Sequence, residues 1–220
     1  QVNPGETLAV VGNTGSGKST MLEIIGRLYD VEEGMLKIDG TPIKRLNLFD
    51  LRNSIGYVPQ DAFLFSDTLR NNIKFGKEDA TDAEVVLAAK QAAVHENIIG
   101  FSKGYDTVLG ERGITMSGGQ KQRLSIARAI IKDPKILLFD DSLSAVDTET
   151  EEEILHNLSK ITADKTTVIV GHRISSLKNA DRIIVLDEGS IIQEGTHQEL
   201  IESPGYYREL YAKQLLEKEM

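Results

Sequence analysis

The strongest constraint on this chain is a glycine-rich segment, Gly12–Ser19, that lies between two apolar patterns. Leu8–Val11 precedes it and has the composition of a buried strand, while the residues after it carry apolar side chains at helical spacing. The segment matches G-x-x-x-x-G-K-[ST], in which glycines let backbone N–H groups point inward around a polyphosphate. The positive end of the following helix points at the same place. A glycine-rich turn without a ligand is the alternative, and the flanking strand and helix argue against it.

The residue types in this loop predict distinct contacts with a nucleotide. Lys18 adds a point charge beside the β- and γ-phosphates, and the Ser19 hydroxyl is a ligand for Mg²⁺. The predicted nucleotide-binding residues of this segment are Gly12, Asn13, Thr14, Gly15, Ser16, Gly17, Lys18, Ser19 and Thr20.

Composition narrows the class of protein. The 220 residues carry a net charge of −9, which argues against general nucleic-acid binding because that needs a positive field. There is no cysteine, which excludes disulfides, thiolate metal sites and cysteine nucleophiles, and the four histidines lack the spacing of a zinc pair. No apolar run approaches the roughly 18 residues of a membrane span, and no signal-peptide pattern opens the chain. These features predict a soluble, intracellular domain.

Strand and helix patterns alternate along the chain, which predicts an α/β fold with a mainly parallel sheet and ligands at the carboxyl ends of its strands. We expect one domain over residues 1–220. Its core comprises residues 1–60 and 134–220, and a helical subdomain is inserted at residues 61–133. The predicted buried strands are Leu8–Val11, Ile55–Val58, Ile136–Phe139 and Thr167–Val170, and the predicted hairpins lie within Met35–Ile43 and Ile183–Glu194.

Two adjacent carboxylates end the apolar strand Ile136–Phe139. A nucleotide-bound Mg²⁺ is often bound by a carboxylate at the end of a strand, so Asp140 is predicted to bind the metal. Asp141 is then placed to face the γ-phosphate and an attacking water. A pair of helix-capping acids is the alternative, and the phosphate loop makes it the weaker one.

Three further features are ambiguous by themselves. Ser117–Gln120 precedes an amphipathic helical pattern, which is compatible with a second anion site or with a plain helix N-cap. Gln60 follows the strand Ile55–Val58 and is either a Mg²⁺ or water ligand or an ordinary surface residue. His172 follows the strand Thr167–Val170 and is either a γ-phosphate contact or a core histidine.

Taken together, these motifs resemble the nucleotide-binding domain of ABC transporters over nearly the whole chain. Their order and spacing all agree, so the combination is far more specific than any single motif. The matching segments are Gly12–Thr20 (Walker A), Gln60 (Q-loop), Gly110–Gly113 (the exporter-type X-loop), Met116–Gln120 (signature, with Met in place of Leu), Ile136–Asp140 (Walker B), Ser144–Asp147 (D-loop) and His172 (switch histidine).

The resemblance implies a P-loop NTPase core with a small antiparallel β subdomain, and an ATPase that uses ATP and Mg²⁺ to power export. Two such domains pair head-to-tail, and the ATP held by the partner is then contacted by Ser117, Gly118, Gly119, Gln120 and Asp147. The implied catalytic residues are Asp141, His172 and Gln60, and the implied metal ligands are Ser19, Gln60 and Asp140. A transmembrane domain is expected to dock at the Gln60 region and the Glu111 segment, on the cytoplasmic face of the membrane, and no nucleic-acid partner is expected.

The chain departs from the family pattern at two points. No aromatic residue precedes Gly12, whereas the family stacks one on adenine, so we expect a fragment of a longer polypeptide. Asp141 stands where the family usually has Glu, a pattern that resembles the degenerate-site subunit of heterodimeric exporters. A homodimer with two slow sites stays open. So do two other functions: a soluble ABC ATPase without transport, and a nucleotide-gated clamp with very slow turnover.

Overall fold

The computed structural model describes residues 1–110, 116–143, 146, 148–162 and 164–219. Within these ranges the strands are β1 (Thr7–Val11), β2 (Lys37–Ile38), β3 (Thr41–Pro42), β4 (Ile55–Val58), β5 (Ile136–Asp140), β6 (Thr166–Val170), β7 (Arg182–Asp187) and β8 (Ser190–Gly195). The α-helices are α1 (Lys18–Ile25), α2 (Leu48–Asn53), α3 (Leu69–Lys74), α4 (Asp82–Gln91), α5 (His95–Ile99), α6 (Gly118–Ile130), α7 (Thr148–Thr162), α8 (Ile174–Leu177), α9 (His197–Glu202) and α10 (Tyr206–Glu219).

The main sheet has six strands in the order β4-β5-β6-β1-β7-β8. The first five run parallel, and β8 is antiparallel to β7 at one edge. The strands β2 and β3 form a separate antiparallel pair. The predicted α/β class with a mainly parallel sheet and a small antiparallel unit is therefore confirmed.

Both predicted hairpins close with the same turn chemistry. Asp39 and Gly40 have φ of 49° and 75°, and Glu188 and Gly189 have φ of 45° and 77°. Two successive positive φ angles are the mark of a type I′ turn, whose twist matches that of the flanking strands. Gly at the second position accepts that angle without a Cβ penalty, which explains why the chain turns here.

Helices cover both faces of the sheet, as continuous apolar strands require. On β5, Leu138 joins the cluster around Leu22 of α1, whereas Leu137 and Phe139 join the cluster around α6. Leu137 and Leu138 are both fully buried. The prediction that this strand is covered on both sides is confirmed.

Helix boundaries differ from the sequence patterns at two places. Met21, Ile25 and Leu28 share one helical face in the sequence, which predicts a helix through Leu28. The helix α1 instead ends at Ile25, because Gly26 follows it and Arg27 adopts a φ of 50°, and Leu28 is 57% exposed. Residues 82–95 have helical composition in the sequence, but they are divided between two helices, because Ala93 adopts a φ of 52° between α4 and α5. Composition alone predicted helix in both stretches and carried no signal for these left-handed residues.

The stretch 61–133 holds α3 to α6 and none of the named strands within its described residues. Its apolar side chains join Leu137 and Phe139 of the sheet in one cluster, so it packs directly against the core. The subdomain boundaries remain a prediction. Glu111–Gly113, Ser144, Ala145 and Asp147 lie outside the described residues. None of the helices described is long and apolar enough to cross a membrane.

Candidate nucleotide-binding site

The topology of the sheet brings four of the motifs to one edge. Gln60 follows β4, Asp140 ends β5, His172 follows β6 and Gly12 follows β1. These strands are neighbours in that order and run parallel, so their carboxyl ends share one side of the sheet. Backbone hydrogen bonds continue this edge beyond the strands, from Asp141 N to Val170 O at 2.8 Å. The site is therefore built at the position where parallel α/β sheets bind ligands.

Lys18 lies inside the glycine-rich loop. Its Nζ donates hydrogen bonds to the carbonyl oxygens of Gly12, at 2.9 Å, and Asn13, at 2.7 Å, and the residue is only 6% exposed. Burial lowers the pKa of the ammonium, and the nearby Asp141 and Asp140 carboxylates oppose that shift. The loop thus holds a buried positive charge at the start of α1.

The loop leaves room and polar groups for an anion. Gly17, at φ 99°, precedes α1 and offers no side-chain cap, so the first N–H groups of the helix lack intrahelical acceptors. Ser16 Oγ is buried and has no hydrogen-bond partner among the described residues. The end of β7 and the turn after it contact the loop. A Cβ on Gly12 would lie 2.0 Å from the Leu186 carbonyl oxygen, and Gly189 N donates a hydrogen bond to Ser16 O at 3.1 Å. An uncapped helix start and an orphaned hydroxyl both suit a phosphate.

The predicted metal ligands Ser19 and Asp140 are in contact. Ser19 Oγ donates a hydrogen bond to Asp140 Oδ1 at 2.9 Å, and the Tyr57 hydroxyl donates to Asp140 Oδ2 at 3.3 Å. Asp140 is 5% exposed. Burial and the Asp140 charge raise the pKa of Tyr57, so its hydroxyl stays a donor. Hydroxyl and carboxylate oxygens at this spacing are a donor set that Mg²⁺ accepts together with phosphate and water oxygens.

Asp141 lies beside the loop that follows β6. Its Oδ1 is 3.9 Å from the position that a Cβ on Gly171 would occupy. Its backbone is left-handed, with φ of 41°, a conformation in which Asp is tolerated better than most residues. The carboxylate is near enough to Lys18 to oppose the lowering of the lysine pKa by burial. Asp141 therefore lies between the phosphate loop and the segment that carries His172.

His172 is held through its backbone. Its carbonyl oxygen accepts a hydrogen bond from Gln214 Nε2 of α10 at 2.6 Å. Gln60 is exposed, and its carbonyl oxygen accepts a hydrogen bond from Gln122 Nε2 of α6. The geometry places both residues at the sheet edge, and their assignment to catalysis remains a prediction.

Ser117 begins α6 with a complete capping box. Its Oγ accepts a hydrogen bond from Gln120 N at 3.2 Å, and its own N–H donates to Gln120 Oε1 at 3.0 Å. Ser117 and Gly118 are exposed, and Met116 is buried. The helix cap considered from the sequence is thus present, and an anion-binding role for the same residues stays a prediction. The fifth predicted member of this set, Asp147, lies outside the described residues.

Sequence reasoning missed the side chains that hold the site from other elements. Tyr57 of β4 is paired with Leu138 of β5. Leu138 comes two residues before Asp140, so all three side chains lie on the same face of the sheet. The only signal in the sequence was a hydroxyl-bearing residue within an apolar strand. For Gln122 and Gln214, on α6 and α10, the sequence offered no signal, because their targets are backbone carbonyls of distant loops.

Comparison with protein families gives a match over residues 1–144 to the model described as ABC transporter. The chain is 50% identical, over 97% of its length, to ATP-binding cassette sub-family B member 6 of Xenopus tropicalis, of which it covers 25%. It is 49% identical, over 98% of its length, to a Bacillus subtilis protein provisionally named a multidrug export ATP-binding/permease protein, YgaD, of which it covers 37%.

A solved structure agrees with these matches. The structure of a bacterial Atm1-family ABC exporter with ATP bound superposes with a TM-score of 0.91 and 44% identity, over 96% of this chain and 37% of that one. The chain thus spans between a quarter and somewhat over a third of the length of these relatives.

Proposed function

The chain belongs to the ABC transporter family, and we propose that it is the ATP-hydrolysing domain of an exporter. The observation that carries this proposal is the edge of the sheet where Lys18 lies inside the phosphate loop and Ser19 contacts Asp140. A buried cation, an uncapped helix start and a hydroxyl–carboxylate pair suit the γ-phosphate and metal of MgATP. The names of relatives with similar sequences and structure support export as the work that hydrolysis drives.

Mg²⁺ would be held by Ser19 and Asp140, with Gln60 as a further ligand. When bound, the ion neutralises charge on the phosphates as the γ-phosphoryl group leaves. Ser19 and Asp140 are already in contact, which supports this ligand pair. Tyr57 donates to the other oxygen of Asp140 and thereby fixes the carboxylate plane.

Phosphate binding and activation of the attacking water are assigned to residues of this chain. The loop N–H groups and Lys18 bind and orient the phosphates of ATP, and Asp141 accepts the proton of the attacking water. His172 contacts the γ-phosphate. An Asp holds its carboxylate about one bond length further back than a Glu, and displacements near 1 Å cost on the order of 10²-fold in rate. We therefore infer that hydrolysis at this site is slow.

The exposed start of α6 supports a second part of the proposal, namely head-to-tail pairing with another nucleotide-binding domain. Ser117, Gly118, Gly119, Gln120 and Asp147 would then meet the ATP held by the partner. Because Asp141 weakens this chain's own site, we propose a partner of different sequence that carries Glu at the corresponding position.

The membrane domain is proposed to dock on the face beside Gln60. A groove along the strand that leads to Gln60 is lined by Tyr57 of β4, by Arg128 of α6 and by Phe75, which directly follows α3 and is 67% exposed. The Glu111 segment, which resembles the X-loop, belongs to the same proposal. Under this proposal the chain lies on the cytoplasmic face of the membrane.

The proposal is tested by measuring the rate of ATP hydrolysis by the natural full-length protein, reconstituted into lipid vesicles with and without its partner. Hydrolysis that requires Mg²⁺ and is lost in Lys18→Ala is the expected result. Tight ATP binding without turnover in the paired protein would instead favour the nucleotide-gated clamp. Retention of full activity in a form without any membrane segment, together with absence from membranes, would favour a soluble ATPase.

A further inference from the structure

The segment that carries His172 forms two hydrogen bonds with the side-chain amide of Gln214 in α10. Gln214 Nε2 donates to the carbonyl oxygen of His172 at 2.6 Å, and Gln214 Oε1 accepts from the N–H of Ile174 at 2.9 Å. One side chain thus pairs with the backbone on both sides of Arg173. Two hydrogen bonds from one planar amide fix the direction of the chain at His172.

The same segment is gripped on its other side by Glu151 of α7. This carboxylate is 1% exposed and accepts hydrogen bonds from Arg173 Nη1 at 3.0 Å, from Ser175 Oγ at 2.9 Å and from Ser176 Oγ. Arg173 Nη1 also donates to the Val146 carbonyl oxygen at 2.9 Å. The residues that follow His172 are therefore anchored by Glu151, while the carbonyl of His172 itself is bonded by Gln214.

The helix α10 does not need Gln214 in order to dock. Tyr207, the second residue of α10, is fully buried in a cluster with Ala9, Val11 and Ile183 of the sheet. Its N–H donates to Gln193 Oε1 of β8 at 3.1 Å. Gln214 is half-buried and lies two turns further along the helix. Loss of its amide therefore leaves the main apolar anchor of α10 intact.

We propose that Gln214 is a positioning residue that sets the orientation of His172 toward the γ-phosphate. This inference rests on the proposed function, in which His172 contacts that phosphate. Gln214 touches no reacting atom; it acts by holding the backbone from which the imidazole projects. Its removal frees His172 to move by a fraction of an ångström to an ångström, which slows the chemical step and leaves the phosphate loop that binds ATP unchanged.

The test measures kcat and KM for ATP at this chain's own site, resolved by single-turnover assays of the natural full-length protein with its partner. The variant is Gln214→Leu, which keeps the size of the side chain and removes both bonds. The matched control is Gln198→Leu, because Gln198 is exposed on α9 and its side-chain amide donates to Glu202 of the same helix. We expect kcat to fall about tenfold in Gln214→Leu with KM within about twofold, since misplacement near 1 Å costs up to about 10²-fold. The control should match the wild type in both constants.

Two further variants separate positioning from simple structural support. Gln214→Glu keeps the side-chain length and the bond from Ile174 N–H but loses the donation to His172, so it should lower kcat about as much as Gln214→Leu. In a His172→Ala background, Gln214→Leu should change kcat by less than about twofold, because residues that act through one another are not additive.

Several results would overturn the inference. A kcat in Gln214→Leu equal to that of the control would do so, as would an additive loss in the His172→Ala background. A fall in melting temperature accompanied by a rise in KM would show that Gln214 only supports the fold. If the wild-type protein itself fails to hydrolyse ATP, the proposed function fails instead, and the two failures are distinguishable.

Discussion

Two helix starts in this chain carry motifs for phosphate, and they are built in opposite ways. The helix α1 begins after Gly17 with no side-chain cap, and its first residue, Lys18, is 6% exposed. The helix α6 begins at an exposed Ser117 whose hydroxyl and N–H are both engaged by Gln120. One start therefore has open N–H groups in a charged pocket, while the other is satisfied at the surface.

This difference shows how much of a site one chain can supply. At α1, the loop, the cation and the Ser19–Asp140 pair all come from within the chain. At α6, the capping box engages the N–H of Gln120, and Ser117 and Gly118 lie exposed at the surface. A ligand at α6 has to arrive on another surface, which is the physical basis of the proposed pairing.

The largest expected effect is that of Ser117→Arg. Bulk and charge at the surface of α6 would exclude the partner's γ-phosphate, so ATP hydrolysis by the paired protein should fall by about 10²- to 10³-fold, the cost of losing a transition-state donor set. ATP binding by the Walker loop of the same chain should stay within about twofold. Ser159→Arg, at an exposed serine of α7, is the matched control. Loss of ATP binding in Ser117→Arg would mean that the two regions do not act separately.

Lys18→Ala should give the converse pattern. Loss of charge-assisted contacts worth about 1.5–3 kcal/mol should weaken MgATP binding by about 10- to 10²-fold. Helix content should be unchanged, because the ammonium hydrogen-bonds to the loop carbonyls of Gly12 and Asn13 and not to a helix. Equilibrium titration with ATP provides the measurement, and Lys90→Ala, at an exposed lysine of α4, is the control. Unchanged affinity in a folded variant would refute the assignment of the phosphate loop.

Asp141→Glu should raise single-turnover hydrolysis at the slow site by about tenfold or more if reach is its only defect. The left-handed backbone at this residue opposes the gain, since Glu tolerates a φ of 41° less well than Asp. Asp141→Asn keeps the backbone preference and removes the charge, so it should lower turnover. If Asp141→Glu has no effect while Asp141→Asn is as damaging as Glu→Gln in the partner, the two ATP sites are equivalent.

The smallest effect is expected from Ser117→Ala, which removes the cap and adds no bulk. Loss of an N-cap costs about 1 kcal/mol, so amide exchange in the first turn of α6 should quicken about fivefold. The amide of Lys121, bonded to Ser117 O at 3.0 Å, is the reporter. Amides of α1 should be unaffected. Equal acceleration in α1 would show that the two helix starts are energetically coupled.

Much of the phosphate-binding region could be predicted because its information is local. Gly12–Ser19 matches the phosphate-loop pattern residue by residue, and the apolar runs before it and before Asp140 have the composition of buried strands. Parallel strands align their carboxyl ends, so the convergence of the motifs also follows from the sequence. Turns such as Glu188-Gly189 were equally local, since two residues decide the φ angles.

Local patterns did not determine where α1 ends or where α4 gives way to α5, because Arg27 and Ala93 adopt left-handed conformations that their residue types do not favour. Nor did they determine which side chains support the site. Tyr57 meets Asp140 only through the register of two strands, and Gln214 meets His172 across 42 positions of sequence. These contacts involve single polar atoms and leave no periodic trace, whereas burial and backbone conformation recur along a segment. The sequence by itself thus determined the fold class and the phosphate loop, and only the tertiary structure decided what holds the reacting groups in place.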